Sequence, residues 1–166
     1  MATDPVKKLK RSEAIPFLNA GTVDAPVWVR AGRSTICSIE FGAQTSDVDF
    51  IMYDSTQTEL DAYKPTIPLE QAIYEGDPCY DFLAEKVDAL DVADAVIGFL
   101  FCFPGTPKKA WRVDEAQCVL TAEDFAGSPA AITYTINLNG ERQTGTYTIA
   151  DGVPTFTPAG ATPAGA

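Results

Sequence analysis

The sequence contains no histidine, and this absence excludes the commonest general base of enzymes. Ser-His-Asp and Cys-His arrangements are therefore impossible, and no Gly-x-Ser-x-Gly nucleophile motif occurs either. Residues 105–109 (Gly-Thr-Pro-Lys-Lys) lack the spacing and second glycine of a phosphate-binding loop, so they indicate a solvated turn. Paired carboxylates are expected by chance in so acidic a chain and do not by themselves indicate a glycosidase. We predict no enzymatic activity and no cofactor.

Metal-ligand patterns are also missing. Four cysteines occur singly along the chain: Cys37, Cys79, Cys102 and Cys118. Without a Cys-x-x-Cys pair or a histidine, they do not form a zinc motif. Asp47-x-Asp49 begins like a calcium-binding EF-hand loop, but Ile51 occupies its fifth position and no glycine its sixth. We therefore expect no metal. The cysteines are interpreted as small buried residues of a reducing compartment, with two disulfides left open.

Long apolar runs are absent as well. No stretch of 18 or more apolar residues exists, so the sequence predicts no membrane-spanning segment. The first residues are basic, but polar residues and Pro16 interrupt the segment after them, so no secretory signal is expected. The 166 residues are enough for one domain with a core of its own.

Basic residues are scarce in the middle of the chain. From Glu40 to Asp94 there are fourteen acidic residues but only two basic ones, Lys64 and Lys86. Because nucleic-acid affinity comes from Lys and Arg contacts to phosphate, this region cannot supply it. The protein either never meets nucleic acid or meets it without adhering. The simpler alternative is that the negative charge only keeps the domain soluble.

Strand patterns, by contrast, are abundant in the sequence. Residues 95–103 are apolar on both faces, which is typical of a central strand covered on two sides. Pro68 should restrict the strand 66–74 to an edge or a strand start. Asn139-Gly140 and Asp151-Gly152 predict two-residue hairpin turns. The predicted strands are residues 35–41, 48–53, 58–62, 66–74, 95–103, 111–120, 132–138, 144–149 and 153–157.

One helix is predicted at about residues 78–90. Asp77 is a good N-cap, and Pro78 stands at the first helical position. One apolar stripe should pack this helix against the sheet: Cys79, Phe82, Leu83, Val87 and Leu90. The sequence therefore predicts a mainly β fold, a β-sandwich or barrel-like domain with one flanking α-helix.

Both ends of the chain differ from the middle. We predict an extended N-terminal arm at residues 1–25, a β-sandwich domain at 26–157 and a low-complexity C-terminal tail at 158–166. The last ten residues repeat Thr-Pro-Ala-Gly-Ala twice, and such a segment cannot bury enough apolar surface to order itself.

Several segments resemble a known family. They are residues 63–71 (Tyr-Lys-Pro-Thr-Ile-Pro-Leu-Glu-Gln), 74–78 (Tyr-Glu-Gly-Asp-Pro), 80–83 (Tyr-Asp-Phe-Leu), 10–19 (Lys-Arg-Ser-Glu-Ala-Ile-Pro-Phe-Leu-Asn) and 145–149 (Gly-Thr-Tyr-Thr-Ile). Together they resemble the major tail tube protein of long-tailed, siphovirus-type bacteriophages. The resemblance spans most of the chain, although no single motif is diagnostic because these residues are structural.

The resemblance implies a structural protein of the virion tail that assembles in the bacterial host cytoplasm. Hexameric rings would stack into a hollow tube whose acidic lumen lets double-stranded DNA pass without adhering. Tail terminator, tape-measure and baseplate proteins would be its partners, with no membrane involved. The termini and one loop, within residues 42–49 or around 54–58, would bridge rings. The ring-stacking candidates are Lys7, Lys8, Lys10, Arg11, Asp47, Asp49, Asp54 and Ser55. The basic N-terminal cluster would face an acidic neighbour instead of DNA.

Two alternatives remain open at this stage. A secreted carbohydrate-binding β-sandwich would need an exposed aromatic platform, for which Trp28 and Trp111 are the candidates. The inner tube of a contractile injection system would share the ring logic and differ by having a sheath partner.

Overall fold

A computed structural model of the chain describes residues 5–160. Within these residues the protein is mainly β with one α-helix, so the predicted fold class is confirmed. The strands are β1 (Ile15–Asn19), β2 (Trp28–Arg30), β3 (Ser34–Cys37), β4 (Ala43–Val48), β5 (Gln57–Tyr63), β6 (Thr66–Ala72), β7 (Val96–Cys102), β8 (Lys109–Asp124), β9 (Ala131–Asn137), β10 (Arg142–Ala150) and β11 (Val153–Pro158). The helix α1 is Pro78–Ala89.

Nine strands form one antiparallel sheet. Its main path runs β2-β1-β7-β8-β9-β6-β3, while β10 pairs with β8 and β11 pairs with β10. The strands β4 and β5 form a separate two-stranded sheet. No strand pairing between residues 5 and 160 closes the large sheet into a barrel.

The long strand β8 organises the sheet because one of its edges holds two strands. Its second half pairs with β9, through Gln117 opposite Asn137. Its first half pairs with β10, through Val113 opposite Arg142. Because β7 occupies the other edge over the same residues, β9 and β10 follow one another along a single edge. Both are antiparallel to β8, so they run in the same direction.

The predicted hairpin at Asn139-Gly140 is therefore wrong. Gly140 does have a positive φ of 75°, as its turn signal requires. The chain nevertheless continues in one direction there, because β9 pairs with β6 and β10 pairs with β11 instead of with each other. At Asp151-Gly152 the predicted hairpin is confirmed, with φ angles of 53° and 78° and Ala150 opposite Val153.

The strand β7 lies at the centre of the sheet, as its two apolar faces predict. It pairs with β1 on one side and β8 on the other. Its odd-numbered side chains Ile97, Phe99 and Phe101 enter the larger core cluster, whereas Leu100 and Cys102 enter a smaller cluster on the opposite face. Two covered faces thus explain why this segment has no polar positions.

The N-terminal region contributes a core strand. All five residues of β1 are buried, between β2 and β7. Residues 15–19 of the predicted arm 1–25 are thus part of the sheet. Pro16 is the second residue of the strand and comes before Phe17, the first residue of β1 that pairs with β2. Most of the predicted tail 158–166 lies outside the described residues.

Proline in β6 is accommodated by a gap in its neighbour. The strand lies between β9 and β3, so Pro68 is not on an edge strand. Thr66 and Ala72 both donate their N–H groups toward the β3 side. Because strand N–H groups alternate, the missing N–H of Pro68 faces that side too. There the pairing of β3 is interrupted between Cys37 and Glu40.

The helix begins as predicted and ends one residue earlier. Asp77 caps it, with its Oδ1 accepting from the Cys79 N–H at 3.1 Å. Cys79 and Leu83 are fully buried, and Phe82 and Val87 pack against them. Leu90 is 77% exposed, so its predicted packing role is wrong. It is the C-cap in the left-handed conformation (φ 44°), and helical spacing no longer sets its direction there.

No helix among the described residues is both long and apolar enough to cross a membrane.

Candidate assembly surface

The strands β4 and β5 contribute no residue to either core cluster. We define the exposed hairpin as these two strands and the turn between them, residues 43–63. Its strands pair from Ala43 opposite Tyr63 to Val48 opposite Gln57. At its base the Lys64 N–H donates to the Gly42 carbonyl at 3.0 Å. The backbones of Glu40 and Thr66 exchange two hydrogen bonds of 2.8 Å. The hairpin is thus anchored firmly where it leaves the large sheet.

Neither face of the exposed hairpin is covered. Between residues 41 and 64 only Ser46, Val48 and Gln57 are half-buried, and every other residue is exposed. A two-stranded hairpin standing alone in water is marginally stable at best. Its outer strand edges also present unpaired backbone groups, which readily pair with another chain. An element of this kind is stabilised by contact with a partner.

The turn of the exposed hairpin carries four apolar side chains in succession, Phe50, Ile51, Met52 and Tyr53. Met52 is 76% exposed and Ile51 is fully exposed. The rings of Phe50 and Tyr53 meet edge to face, with centroids 6.2 Å apart. The predicted strand at 48–53 is wrong, because only Val48 belongs to a strand, the end of β4, and residues 49–53 form a turn with no pairing partner. Contiguous exposed apolar residues of this kind mark an interaction site.

The predicted acidic ring-stacking residues all lie on this hairpin. Asp47 is on β4 and accepts a hydrogen bond from the Thr58 hydroxyl at 2.8 Å. Asp49 and Asp54 flank the four apolar residues on either side, and Ser55 follows. From residue 43 to 63 there is no basic residue. The hairpin therefore presents an apolar tip between carboxylates.

The predicted basic residues lie elsewhere. Lys7 and Lys8 line a hollow beside the turn between β7 and β8, and Lys10 and Arg11 follow them along the chain. Leu9 packs on Gly105, where an added Cβ would come within 3.2 Å of Leu9 Cδ2. A hollow of about 460 Å³ lies here, lined by Lys7, Lys8, Leu9, Glu13, Gly105, Thr106, Lys108 and Tyr147. The Lys108 ammonium lies 5.6 Å from the centre of the Tyr147 ring. We define the basic patch as Lys7, Lys8, Lys10, Arg11 and Lys108.

Lys108 was missed at the level of sequence. Residues 105–108 form the predicted solvated turn, whereas Lys109 is the first residue of β8. The turn also extends the N-terminal basic cluster, because Lys108 lines the same hollow as Lys7 and Lys8. The only local signal was the pair Lys108-Lys109. Lys108 joins the N-terminal cations because Leu9 contacts Gly105, nearly a hundred residues further along the chain. No local sequence pattern indicates such a contact.

The acidic stretch of the sequence does not form one surface. Five of its fourteen acids lie on the exposed hairpin, three lie on the helix (Asp81, Glu85 and Asp88), and the other six lie on β6 or in the segments between these elements. Asp77 is not on the surface at all: it is buried, accepts from the Gln71 amide at 2.8 Å and lies 3.5 Å from Arg33. These carboxylates therefore cannot all line the same lumen.

The groups whose pKa is raised furthest belong to the core. Burial raises the pKa of the Cys79 thiol to about 12 and that of the Cys118 thiol to about 11. Burial likewise raises the pKa of Tyr134 well above its usual value. These groups stay protonated and unreactive at neutral pH. Within residues 5–160 no group of His, Cys, Asp or Glu side chains is arranged to hold a metal ion, and all four cysteines are free.

The two tryptophans do not form an open platform. Trp28 packs against the smaller core cluster, and the Arg112 guanidinium lies over its ring at 5.6 Å. Trp111 has Phe103 against it at 4.9 Å and Arg142 over its ring at 4.4 Å. Because side chains of the same chain occupy their ring faces, stacking of a sugar on them is not favoured.

Comparison with solved structures finds a similar fold in chains of a tube cap and of a sheath/tube terminator. A chain of the anti-feeding prophage cap structure, described as the tube terminating cap, superposes with a TM-score of 0.56 at 14% identity, covering 88% of this chain and 96% of that one. A chain of the sheath/tube terminator of PVC, an extracellular contractile injection system, in the extended state, gives 0.50 at 10% identity, covering 87% and 99%. No family model and no curated protein matches the sequence. At sequence identities this low, the superpositions show a shared fold and nothing more.

Proposed function

We propose that the protein is a structural subunit of a tail tube. Copies of it assemble into hexameric rings, and the rings stack into a hollow tube that conducts double-stranded DNA out of a long-tailed phage particle. The observation that carries the proposal is the fold, which matches a chain of a tube-cap structure over 88% of this chain and 96% of that chain. The protein would be assembled in the bacterial cytoplasm and remain in the tail.

The exposed hairpin and the sheet edges supply the means of assembly. Within residues 5–160, β2, β3 and β11 each pair on one side only. Open edges of this kind form intermolecular sheets, and strands shared between neighbours in a ring would close the continuous barrel that one copy lacks. The exposed hairpin, neither face of which is covered by other parts of residues 5–160, would reach a neighbouring copy. Tail terminator, tape-measure and baseplate proteins would contact the completed tube.

The charge of the protein suits passage of DNA without binding. Carboxylates facing the lumen would repel phosphate and prevent the Lys and Arg contacts that give sequence-independent affinity. Because electrostatic fields decay within about 8–10 Å at cellular salt concentration, only residues on the lumen wall matter. The acids of the exposed hairpin and those of α1 are two candidate groups for the lumen wall.

A second candidate is the inner tube of a contractile injection system. Both structural neighbours come from contractile particles, and this favours the candidate. Such a tube would also consist of stacked rings, but it would be surrounded by a sheath. Co-expression with a candidate sheath protein, followed by electron microscopy, separates the two: a sheathed tube supports the injection system, and a bare tube supports the long-tailed phage.

The direct test is negative-stain electron microscopy of the concentrated, purified protein. We expect tubes with a central channel, formed across a range of salt concentrations. Monomers alone under all conditions would reject the proposal. A density map of such tubes then tests the charge argument, because lysines and arginines along the channel wall would contradict it.

The conducting role is tested with carboxylates that this map places on the channel wall. Changing several of them to lysine should slow DNA ejection while tubes still form, since DNA phosphates would then bind the wall. Lysine substitutions of outward-facing acids serve as the control and should leave the rate unchanged. Equal ejection rates in both sets would reject the charge mechanism while leaving the tube in place.

A further inference from the structure

We infer that one uncovered face of the large sheet forms the channel wall of the tube, and that Glu40, Glu70 and Asp124 are the carboxylates on this wall. The inference rests on the proposed function and names the side chains that DNA would pass. These three acids are far apart in the sequence, and only strand pairing brings them onto one surface.

The wall belongs to a four-stranded part of the large sheet. Residues 118–124 of β8 are followed across this part by β9, β6 and β3. Side chains alternate between the two faces along each strand, and residues opposite each other in the register share a face. One face enters the larger core cluster with Ile67 and Tyr134, where Leu83 of α1 also packs. The helix therefore lies on that side of the sheet.

The opposite side of these four strands is uncovered. Within residues 5–160 neither core cluster includes a residue of that side, and Ile36 and Val119 on it are 48% and 44% exposed. The residues of that side are exposed or half-buried. We define the open face as Ile36, Glu40, Thr66, Pro68, Glu70, Gln117, Val119, Ala122, Asp124, Thr133, Thr135 and Asn137.

The open face carries negative charge and no positive charge. The register that places its acids is Glu40 opposite Thr66, Glu70 opposite Thr133 and Asp124 opposite Ala131. The other members of the open face are apolar or carry neutral hydroxyl and amide groups. Because nucleic-acid affinity comes from Lys and Arg contacts to phosphate, a DNA duplex passing this surface meets repulsion and no ionic attraction.

Both outer edges of the four strands are free to pair with another copy. Residues 118–124 of β8 pair with β9 alone, since the pairing with β7 reaches only to Gln117. At the other edge, β3 pairs with β6 alone. If the β8 edge of each copy pairs with β3 of the next, the four strands continue around the ring as one sheet. The open face then lies on either the inside or the outside of that ring.

The available width decides between the two. Six copies of four strands about 4.8 Å apart and tilted about 40° would enclose a ring about 48 Å across between backbones. Two helices facing each other across this ring, each about 10–12 Å wide, would together with the core side chains leave less than the width of a DNA duplex. The side that carries α1 must therefore face outward, and the open face lines the channel.

Thiol labelling of assembled tubes tests the position of the open face. Thr135→Cys on the open face and Asp88→Cys on the exposed side of α1 are each made in a Cys37→Ser background, which removes the exposed native thiol. In tubes, both should react with a small maleimide. Only Asp88→Cys should react with a maleimide coupled to a particle too wide for the channel. In unassembled subunits, both thiols should react with both reagents.

Two labelling results would overturn the inference. If the wide reagent modifies Thr135→Cys in tubes as fast as Asp88→Cys, the open face lies outside. If neither reagent modifies it, the open face is buried between copies. Gln117→Cys, on a neighbouring strand of the same face, should behave like Thr135→Cys. Either adverse result leaves the proposed function intact as long as tubes form, whereas a protein that never forms tubes would fail both.

Nuclease protection tests the charge of the wall. Tubes of a variant with Glu70→Lys and Asp124→Lys should protect at least about ten times more short duplex DNA from a bead-bound nuclease than unaltered tubes, because cations inside the channel bind phosphate. Thr135→Lys, which keeps all three acids, should protect DNA as well. The control with Asp81→Lys and Asp88→Lys changes the net charge equally outside and should leave its DNA open to the nuclease. Equal protection by the wall variants and the control, or none by either wall variant, would contradict the inference.

Discussion

Replacing Asp77 by alanine should destabilise the protein far more than the loss of one carboxylate on an acidic chain suggests. Asp77 is buried and caps α1 through the Cys79 N–H. Its Oδ2 also accepts from the Gln71 amide nitrogen at 2.8 Å. The other end of the Gln71 amide accepts from the Ser34 hydroxyl at 3.1 Å. One carboxylate therefore connects the start of the helix to β6 and β3.

The expected magnitude can be worked out from these contacts. Loss of an N-cap costs about 0.5–2 kcal/mol. The amide nitrogen of Gln71, a residue with 0% exposure, would be left without a partner, at a cost of about 1–3 kcal/mol. The ion pair with the exposed Arg33 adds little. We expect a loss of about 2–4 kcal/mol, a large part of the roughly 5–15 kcal/mol that stabilises a domain, and a Tm lower by about 4–16 °C.

The assay is urea unfolding monitored by circular dichroism, at a concentration too low for assembly. Asp81→Ala is the matched control, because Asp81 is exposed on the same helix, and should change stability by less than about 0.5 kcal/mol. Asp77→Asn keeps an oxygen for the cap but cannot also accept from Gln71, so it should fall between the two. If Asp77→Ala is as stable as the control, the network does not stabilise the fold as argued.

The other predictions concern the exposed hairpin, a close backbone contact and two kinds of buried group. Replacing residues 43–63 by an Asn-Gly turn should leave the urea midpoint nearly unchanged but abolish tubes in electron microscopy, and tubes of the shortened protein would contradict the role of the exposed hairpin. Gly145→Ala should destabilise by about 1–3 kcal/mol, because its Cβ would lie 2.1 Å from the Thr157 carbonyl oxygen, and a neutral result in thermal unfolding would refute this. Tyr134→Phe should be neutral or slightly stabilising in the same assay, since among residues 5–160 the buried Tyr134 hydroxyl finds at most the weak thiol partner Cys79. Alkylation at pH 8 followed by mass spectrometry should modify only Cys37 in the folded protein and four thiols after denaturation, because burial shields the other three and raises the pKa of each.

Local signals were sufficient wherever the determining groups are neighbours in the chain. The cap at Asp77 and the proline after it fixed the start of α1. The two apolar faces of residues 95–103 identified the central strand, and Asp151-Gly152 identified the hairpin that joins β10 to β11. In each case the hydrogen bonds or the side-chain alternation involved are complete within about ten residues.

The candidate site was predicted in its parts. The basic residues Lys7, Lys8, Lys10 and Arg11 and the acidic residues Asp47, Asp49, Asp54 and Ser55 were singled out from charge and from a family resemblance. That the acidic set lies on a hairpin with both faces exposed was not predicted. Residues 48–53 have the composition of a strand, but beyond Val48 they have no pairing partner and form an exposed turn.

The sequence by itself determined the class of the fold, the limits of its helix and the uneven distribution of its charge, because these depend on composition and on contacts between near neighbours. The tertiary structure alone decided that β9 and β10 share one edge of β8, that residues 15–19 belong to the core, and that Lys108 joins the N-terminal cations. Each of these outcomes depends on contacts between segments that are far apart in the sequence. The free energy of burying apolar surface in such contacts cannot be recognised from a local sequence pattern.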